Sequence, residues 1–110
     1  DGVLSREDQL LSAFYRNLRA QFQYRLGEAV RFESFWTRSG ARVPLVVRRD
    51  DSMLGFIGVV GDQPTLSQKR SADSFLLHHV TAKIIFLTDT VNVAKRLDSR
   101  RMLCPMASLL

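Results

Sequence analysis

The chain has 110 residues, of which 45% are hydrophobic and 25% are charged, and its formal net charge is +5. This composition is typical of a globular protein, and the length predicts a single domain over residues 1–110. Because the chain begins with Asp1, we interpret it as part of a longer protein. No apolar run reaches the roughly 18 residues of a membrane span, and the only cysteine, Cys104, excludes an internal disulfide, so we expect a cytoplasmic domain with Cys104 buried.

The first predicted element is a helix over residues 6–23. Leu11, Phe14 and Leu18 recur at the spacing that places side chains on one face of a helix. Ser5 is suited to cap the first turn, because its hydroxyl can accept a hydrogen bond from a free backbone N–H. The apolar face predicts that this helix packs on the rest of the domain.

A strand is predicted at residues 30–36, where apolar and polar side chains partly alternate. It ends in Phe35 and Trp36, and because both continue the strand we expect them in the core. Stacking on nucleic-acid bases is the alternative for these two rings. Gly40 then indicates a turn, since glycine adopts positive φ at little cost.

Two further strands follow this turn. Val43, Leu45 and Val47 alternate along the second strand, which predicts that they share one face. Pro44 lies inside this strand and has no N–H, so we expect the strand to lie at a sheet edge or to be bulged there. The third strand, Met53–Val60, is almost continuously apolar, which predicts a strand covered on both faces.

The second half of the chain alternates helices and strands. Thr65 and Gln68 have the spacing of a capping box, and they predict the start of a helix. The predicted elements are this helix over 65–80, a buried strand over 82–87, a short helix over 92–97 and a last short strand over 101–104.

The resulting order is α-β-β-β-α-β, followed by the small helix and the last strand. A three-strand meander and then a helical crossover implies an α/β domain with a mixed sheet and flanking helices. We expect the strands at 53–60 and 82–87 to be central, because both are apolar on both faces.

Several local patterns have both a functional and a structural interpretation. His78 and His79 are adjacent on a helix and point about 100° apart, so they are poorly placed to share a metal ion, and we expect core or surface histidines. Gly55, Gly58 and Gly61 lack the spacing of a phosphate-binding loop, which favours close packing. Asp50 and Asp51 favour turn formation over cation binding.

A family resemblance extends from about Asp8 to the end of the chain. Its hallmarks are a strand ending in Tyr-Trp-Arg, then Ser/Gly and a Val-Asp-Phe-Val strand, then an apolar strand with Glu-x-Lys, and finally two further short strands. The corresponding segments here are Phe35–Val47, Phe56–Val60, Ile84–Thr88 and Met102–Pro105. In this order they resemble a C-terminal domain found behind AAA-type P-loop ATPase modules. That domain is related to the PD-(D/E)xK nucleases, so the resemblance implies a restriction-endonuclease-like α-β-β-β-α-β core.

The resemblance also implies that nuclease activity is lost. Pro44 stands at the family's Asp position, Gly58 and Val60 replace the Glu and Lys of Glu-x-Lys, and Leu11 falls where the first helix often carries an acid. Nuclease chemistry needs carboxylates to hold Mg²⁺ and a base to activate water. We therefore expect no enzyme activity, no metal and no cofactor.

The function predicted from these features is that of a non-catalytic accessory domain of an ATPase-like protein, which mediates partner contact or self-association. The alternative is a nucleic-acid-binding module that keeps a nuclease-like fold without cleavage. A third hypothesis is an enzyme with an unrecognised site. The basic residues occur as scattered pairs, which favours a solvated surface. The candidate nucleic-acid contacts are Arg38, Arg42, Arg48, Arg49, Lys69 and Arg70.

Overall fold

The structure is a computed structural model that describes residues 9, 11–16, 31–49, 52–89 and 94–105. Helix α1 is described at residues 9 and 11–16. The other elements are β1 (Arg31–Trp36), β2 (Arg42–Arg49), β3 (Ser52–Val59), α2 (Leu66–His78), β4 (Lys83–Thr88), β5 (Lys95–Arg96) and β6 (Arg101–Pro105). Among the described residues, no helix has the length and apolar character that crossing a bilayer requires.

The six strands form one mixed sheet in the spatial order β1-β2-β3-β4-β6-β5. Neighbours β1, β2 and β3 are antiparallel, β3, β4 and β6 are parallel, and β5 is antiparallel to β6. This arrangement confirms the predicted α/β class with a mixed sheet. It also confirms that the third and fourth strands are central, and helix α2 connects them as expected.

Each face of the sheet carries its own apolar core, and this explains why the central strands lack a polar face. On one side α2 inserts Phe75 and Leu76 against residues such as Ile84. On the other side α1 places Leu11 and Phe14 against a second cluster. The members of that second cluster in the sheet are Leu45, Val47, Phe56 and Leu87.

Pro44 lies in an internal strand, and that strand is bulged beside it. A bulge was one of the two expected ways to place a proline within a strand, the other being a position at the sheet edge. Between the pairs Glu33–Val46 and Phe35–Val43, β1 advances by two residues while β2 advances by three. The extra residue removes the need for a ladder hydrogen bond from proline. It also reverses the alternation, so the prediction that Val43 shares a face with Leu45 and Val47 was wrong. Val43 faces α2, with Val46.

The start of α2 matches its sequence signature. The Thr65 hydroxyl accepts a hydrogen bond from the Gln68 N–H, and the Gln68 side chain accepts one from the Thr65 N–H, which completes the capping box. Behind the helix, a Cβ at Gly55 would lie 2.8 Å from Ile84 Cδ1 and 3.1 Å from Phe75 Cε2. The glycine therefore permits the close approach of α2 to the central strands, as predicted.

Phe35 and Trp36 have different environments, although both were expected in the core. Phe35 faces α2 and packs edge-on against Phe75, with ring centroids 5.3 Å apart. Trp36 is 73% exposed. Successive residues of a strand point to opposite faces, and Trp36 is the last residue of the edge strand. Its prediction as a core residue was wrong for that reason.

Two other boundaries differ from expectation. Residues 95–96 form β5, so the predicted helix over 92–97 was wrong in its described part. Pairing of Lys95 with Leu103 and of Arg96 with Met102 overrides the modest helical preference of so short a segment. β3 ends at Val59, and Val60 is half exposed after it.

Several sequence predictions lie outside the described residues. They concern the Ser5 cap, the part of the first helix beyond residue 16, Val30 as the start of the first strand, and the turn at Asp50 and Asp51.

Candidate functional site

The structure brings together two of the four residues that the resemblance predicted to be altered motif positions. Leu11 and Pro44 line one cleft of about 680 Å³ between α1 and the first two strands. Gly58 is buried in β3, where its carbonyl accepts a 2.7 Å hydrogen bond from Gln68 Nε2. Val60 follows β3, and neither Gly58 nor Val60 is among the described residues that line the cleft.

Three elements build the walls of this cleft, which we call the α1 cleft. α1 contributes Ser12, Tyr15 and Arg16, which flank its buried residues Leu11 and Phe14. The remaining described lining residues are Phe32, Glu33 and Ser34 of β1 and Arg42 and Leu45 of β2. The Tyr15 and Phe32 rings meet edge-on with centroids 5.0 Å apart, so one wall is a packed aromatic pair.

Three charged side chains are among the described lining residues of the α1 cleft. Arg16 and Arg42 line it, and Glu33 is the only acid among its described lining residues. The Glu33 carboxylate lies 3.4 Å from the Arg48 guanidinium. This ion pair joins the first two strands beside the cleft.

The six candidate nucleic-acid contacts occur in two regions of the domain. Arg38 and Arg42 lie at the β1–β2 hairpin, and Lys69 and Arg70 lie on the first half of α2. Arg70 and hairpin residues line a second cleft of about 540 Å³. Arg48 and Arg49 lie at the other end of β2 from Arg42. The structure therefore does not place all six in one continuous strip.

Two further arginines bind the protein itself. Arg100 donates to the carbonyl oxygens of Leu76 and His79 at the end of α2 and to that of Ala82, at 2.8–3.1 Å. The Arg101 guanidinium bridges Asp73 and Asp98 at 2.6 and 2.7 Å. Both side chains therefore connect α2 to the start of β6. The sequence alone did not distinguish these two arginines from arginines on the surface.

Hydrogen bonds in this region lower the pKa of Asp98. The backbone N–H of Arg100 donates a 2.8 Å hydrogen bond to the carboxylate and, as the largest contribution, lowers the pKa of Asp98 below its usual value. The Arg101 guanidinium and backbone N–H act in the same direction. These bonds favour the charged carboxylate, as expected for an acid that closes a turn.

The two histidines and the cysteine lie in environments typical of structural residues. The rings of His78 and His79 lie 5.6 and 5.9 Å from the Phe35 ring, and His78 Nδ1 is 2.8 Å from the Ser74 carbonyl oxygen. Cys104 is buried as predicted, and burial raises the pKa of its thiol, which disfavours the reactive thiolate. Within the described ranges, no three His, Cys, Asp or Glu side chains are grouped to hold a metal ion.

No protein-family model, curated protein or solved structure matches this chain.

Sequence reasoning missed the α1 cleft because its lining comes from three separated segments. Arg16 and Tyr15 were not candidate site residues, although both lie one turn after Leu11 on the same helix. The single available signal was Pro44, because a proline within a paired strand requires a local distortion, and here that distortion borders the cleft.

Proposed function

We propose that this chain is a non-catalytic accessory domain of an ATPase-like protein, with a restriction-endonuclease-like fold, and that it acts by contacting a partner protein or a second copy of itself. The sequence resemblance supports the association with an ATPase. The element order α-β-β-β-α-β, with the third and fourth strands central and parallel, supports the fold assignment.

The chemistry of the motif positions supports the non-catalytic part of the proposal. Leu11 and Pro44 line the α1 cleft, and their side chains offer no oxygen to a divalent cation. Gly58 and Val60 also lack a carboxylate or amine with which to bind metal or move a proton. A role in contact therefore explains the retained fold better than hydrolysis does.

The observation that carries the contact proposal is the exposure of Trp36 at the end of an edge strand. β1 pairs with β2 on one side and lies at the end of the sheet order. An edge strand can pair with a strand of another chain, and a large exposed aromatic side chain is typical of an interface centre. At this edge, a partner could therefore contact both the backbone of β1 and the exposed ring of Trp36.

Light scattering after size-exclusion chromatography, over a range of protein concentrations, tests the contact proposal. Trp36→Ser should shift self-association to higher concentration, or abolish capture by the partner when the occupant is another protein. Leu77→Ser is the matched control, because Leu77 is 79% exposed on α2 and its loss should change nothing. Equal effects of the two substitutions, or a monomer that binds no partner through Trp36, would refute the contact proposal.

The ATPase association has a separate test in the gene itself. The proposal expects the sequence encoded upstream of Asp1 to contain the glycine-rich phosphate-binding loop that ends in Gly-Lys-Ser/Thr. A longer gene product without a nucleotide-hydrolysing module would remove that part of the proposal and leave the contact role standing.

Nucleic-acid binding is the second candidate function, and the position of Arg38 and Arg70 near the hairpin favours it. Displacement of counterions from four phosphates gives a slope of log affinity against log salt of about −4 for duplex DNA. Because the six basic residues occupy two regions, we expect weaker binding with a shallower slope. Fluorescence anisotropy at several salt concentrations measures the slope. Submicromolar binding with a steep slope, reduced in the Arg48→Ala, Arg49→Ala double variant, would rank this function first.

A further inference from the structure

The two edges of the described sheet differ in how well they are protected against pairing with another chain. At one edge, β5 has only two residues, Lys95 and Arg96, and both are exposed. Short length and basic side chains are common protections of an edge strand. At the other edge, β1 has six residues, of which three are aromatic and none is lysine or proline. Its one acid, Glu33, is paired with Arg48 of β2. Of the two edges, β1 is therefore the one suited to continue into another sheet.

The bulge beside Pro44 lies in β2 and leaves β1 regular. Between Glu33 and Phe35, β1 advances by two residues, as an undistorted strand does. A bulge in an edge strand itself twists that edge away from further pairing, and β1 has no such distortion over Arg31–Trp36. The backbone N–H and C=O groups on its outer side therefore form an unbroken row that a further strand can pair with.

Alternation along β1 places Trp36 on the face of the sheet that carries α1. Phe35 packs with the apolar cluster under α2, whereas Phe32 packs with the cluster under α1. Ser34 lines the α1 cleft together with Phe32. Because successive strand residues point to opposite faces, Phe32, Ser34 and Trp36 form one row on the α1 side. The two ends of this row are aromatic, and its centre is a small, exposed side chain.

This row is complementary to itself in an antiparallel pair. A two-fold axis normal to the sheet keeps the α1 faces of both copies on one side, so one residue of β1 must lie opposite its own copy. Residues 31–35 pair when Glu33 is on the axis, and residues 32–36 pair when Ser34 is on it. The first register places two carboxylates directly opposite each other, which is destabilising. The second places Trp36 of each copy opposite Phe32 of the other.

The register centred on Ser34 also covers the exposed ring. Trp36 is 73% exposed in the single chain. Phe32 is half-buried against Tyr15 and lies in the wall of the α1 cleft, so part of its ring remains open to a neighbour. Aromatic pairs across two strands stabilise a sheet, and symmetry forms this contact twice. The exposed ring at one end of β1 and the open cleft at the other end therefore favour a second copy as the partner.

We propose that two copies of this domain associate by antiparallel pairing of their β1 strands, with Ser34 on the two-fold axis and Trp36 of each copy packed on Phe32 of the other. This inference rests on the contact function proposed above and specifies a second copy as the partner. The two six-stranded sheets then form one continuous sheet, in which neither β1 strand remains an edge.

A disulfide on the axis tests both the partner and the register. Directly opposed residues of an antiparallel pair have Cα atoms about 4.5–5.5 Å apart, a distance that a disulfide spans. Ser34→Cys should therefore form a covalent dimer under mild oxidation. Arg31→Cys on the same strand should not, because an offset of six residues separates the two copies of this position by about 20 Å. Ser99→Cys, exposed in the turn before β6, and the parent chain with its buried Cys104 should also stay monomeric on a non-reducing gel.

The fluorescence of Trp36 tests the same pairing without a new cysteine. Trp36 is the only tryptophan of the chain. Its emission should shift to shorter wavelength, and its quenching by acrylamide should fall, as the protein concentration rises from about 1 μM to about 1 mM. Light scattering should show the change from monomer to dimer over the same range.

Substitutions of Trp36 show whether the ring holds the dimer together. Trp36→Ser should weaken dimerisation by at least about tenfold, and it should reduce the Ser34→Cys cross-link when the two changes are combined. Trp36→Phe keeps a flat apolar ring and should retain most of the association. Circular dichroism spectra that match the parent protein show that each variant is folded.

The outcomes distinguish this inference from the proposed contact function. A monomer at about 1 mM overturns the inference, as does dimerisation that Trp36→Ser leaves unchanged. A dimer that cross-links through Arg31→Cys or Ser99→Cys and not through Ser34→Cys overturns it as well. If the chain stays monomeric and another protein binds it through Trp36, the inference fails and the contact function stands. If neither dimerisation nor Trp36-dependent binding of another protein occurs, both fail.

Discussion

Replacement of Gly55 by alanine tests how closely α2 packs on the central strands. The new methyl carbon would lie 2.8 Å from Ile84 Cδ1, 3.0 Å from Val43 Cγ1 and 3.1 Å from Phe75 Cε2. Non-bonded carbon atoms prefer about 3.5–4.0 Å, so at least one neighbour must move. All three neighbours are buried, which leaves little room for that movement.

The expected cost follows from two opposing effects. Overpacking of a close-packed core costs about 1–3 kcal/mol. Alanine recovers roughly 0.5–1 kcal/mol relative to glycine within a strand. We expect a net loss of about 1–2 kcal/mol in the free energy of unfolding, which lowers the thermal midpoint by about 4–8 °C for a domain of this size.

A double-mutant cycle shows whether the contact with Ile84 is the cause. Ile84→Val removes Cδ1, the nearest atom, and alone costs about 0.5–1.5 kcal/mol. In the Gly55→Ala, Ile84→Val double variant the new methyl group occupies the vacated space, so the combined loss should be smaller than the sum by about 1 kcal/mol. Urea denaturation measures all four proteins. Additive losses, or a Gly55→Ala variant as stable as the parent, would refute the reasoning.

Two further predictions concern the junction between α2 and β6. Arg100→Ala should lower the free energy of unfolding by about 2 kcal/mol, because the carbonyl groups of Leu76, His79 and Ala82 lose a charged donor. Urea denaturation measures this loss, and a loss below about 0.5 kcal/mol would contradict the role of Arg100. Asp98→Asn should lower the thermal midpoint at neutral pH. Because the pKa of Asp98 is lowered in the folded state, its stabilisation is present above the unfolded pKa, near 3.9, and is lost as the pH falls through the folded value. The difference between parent and Asp98→Asn should therefore shrink in acid scans, and a difference that grows with acidity would oppose this assignment.

Much of the fold could be predicted because its signals are local or nearly so. The capping box of Thr65 and Gln68 depends on four consecutive residues, and the structure contains it. The unbroken apolar character of β3 and β4 depends only on burial on both faces, and both strands are central. Gly55 has little side-chain space in the structure, as its place in a buried strand predicted.

The failures come from effects that depend on distant residues. The bulge at Pro44 reversed the face of Val43, although the need for a bulge or an edge was visible in the proline itself. Residues 95–96 form a strand because β6 provides a pairing partner. Trp36 is exposed because the order of strands places β1 at the edge of the sheet. The alternation of apolar and polar residues along β1 does not predict that order.

The candidate site was less predictable than the fold. Leu11 and Pro44 were predicted to be altered motif positions, and the structure places both in the α1 cleft. Arg16 gave no signal of its own, since a single arginine on a helix is ordinary. Arg100 resembled a surface arginine until its three carbonyl partners were known.

A plasmid-nicking assay with Mg²⁺ or Mn²⁺ tests the central proposal, that the domain has a nuclease-like fold without nuclease activity. The four motif positions supply no carboxylate, so the purified protein should leave supercoiled DNA intact with either metal. Metal-dependent nicking that Glu33→Gln abolishes would contradict the claim, because it would show that an acid outside the motif positions now holds the metal.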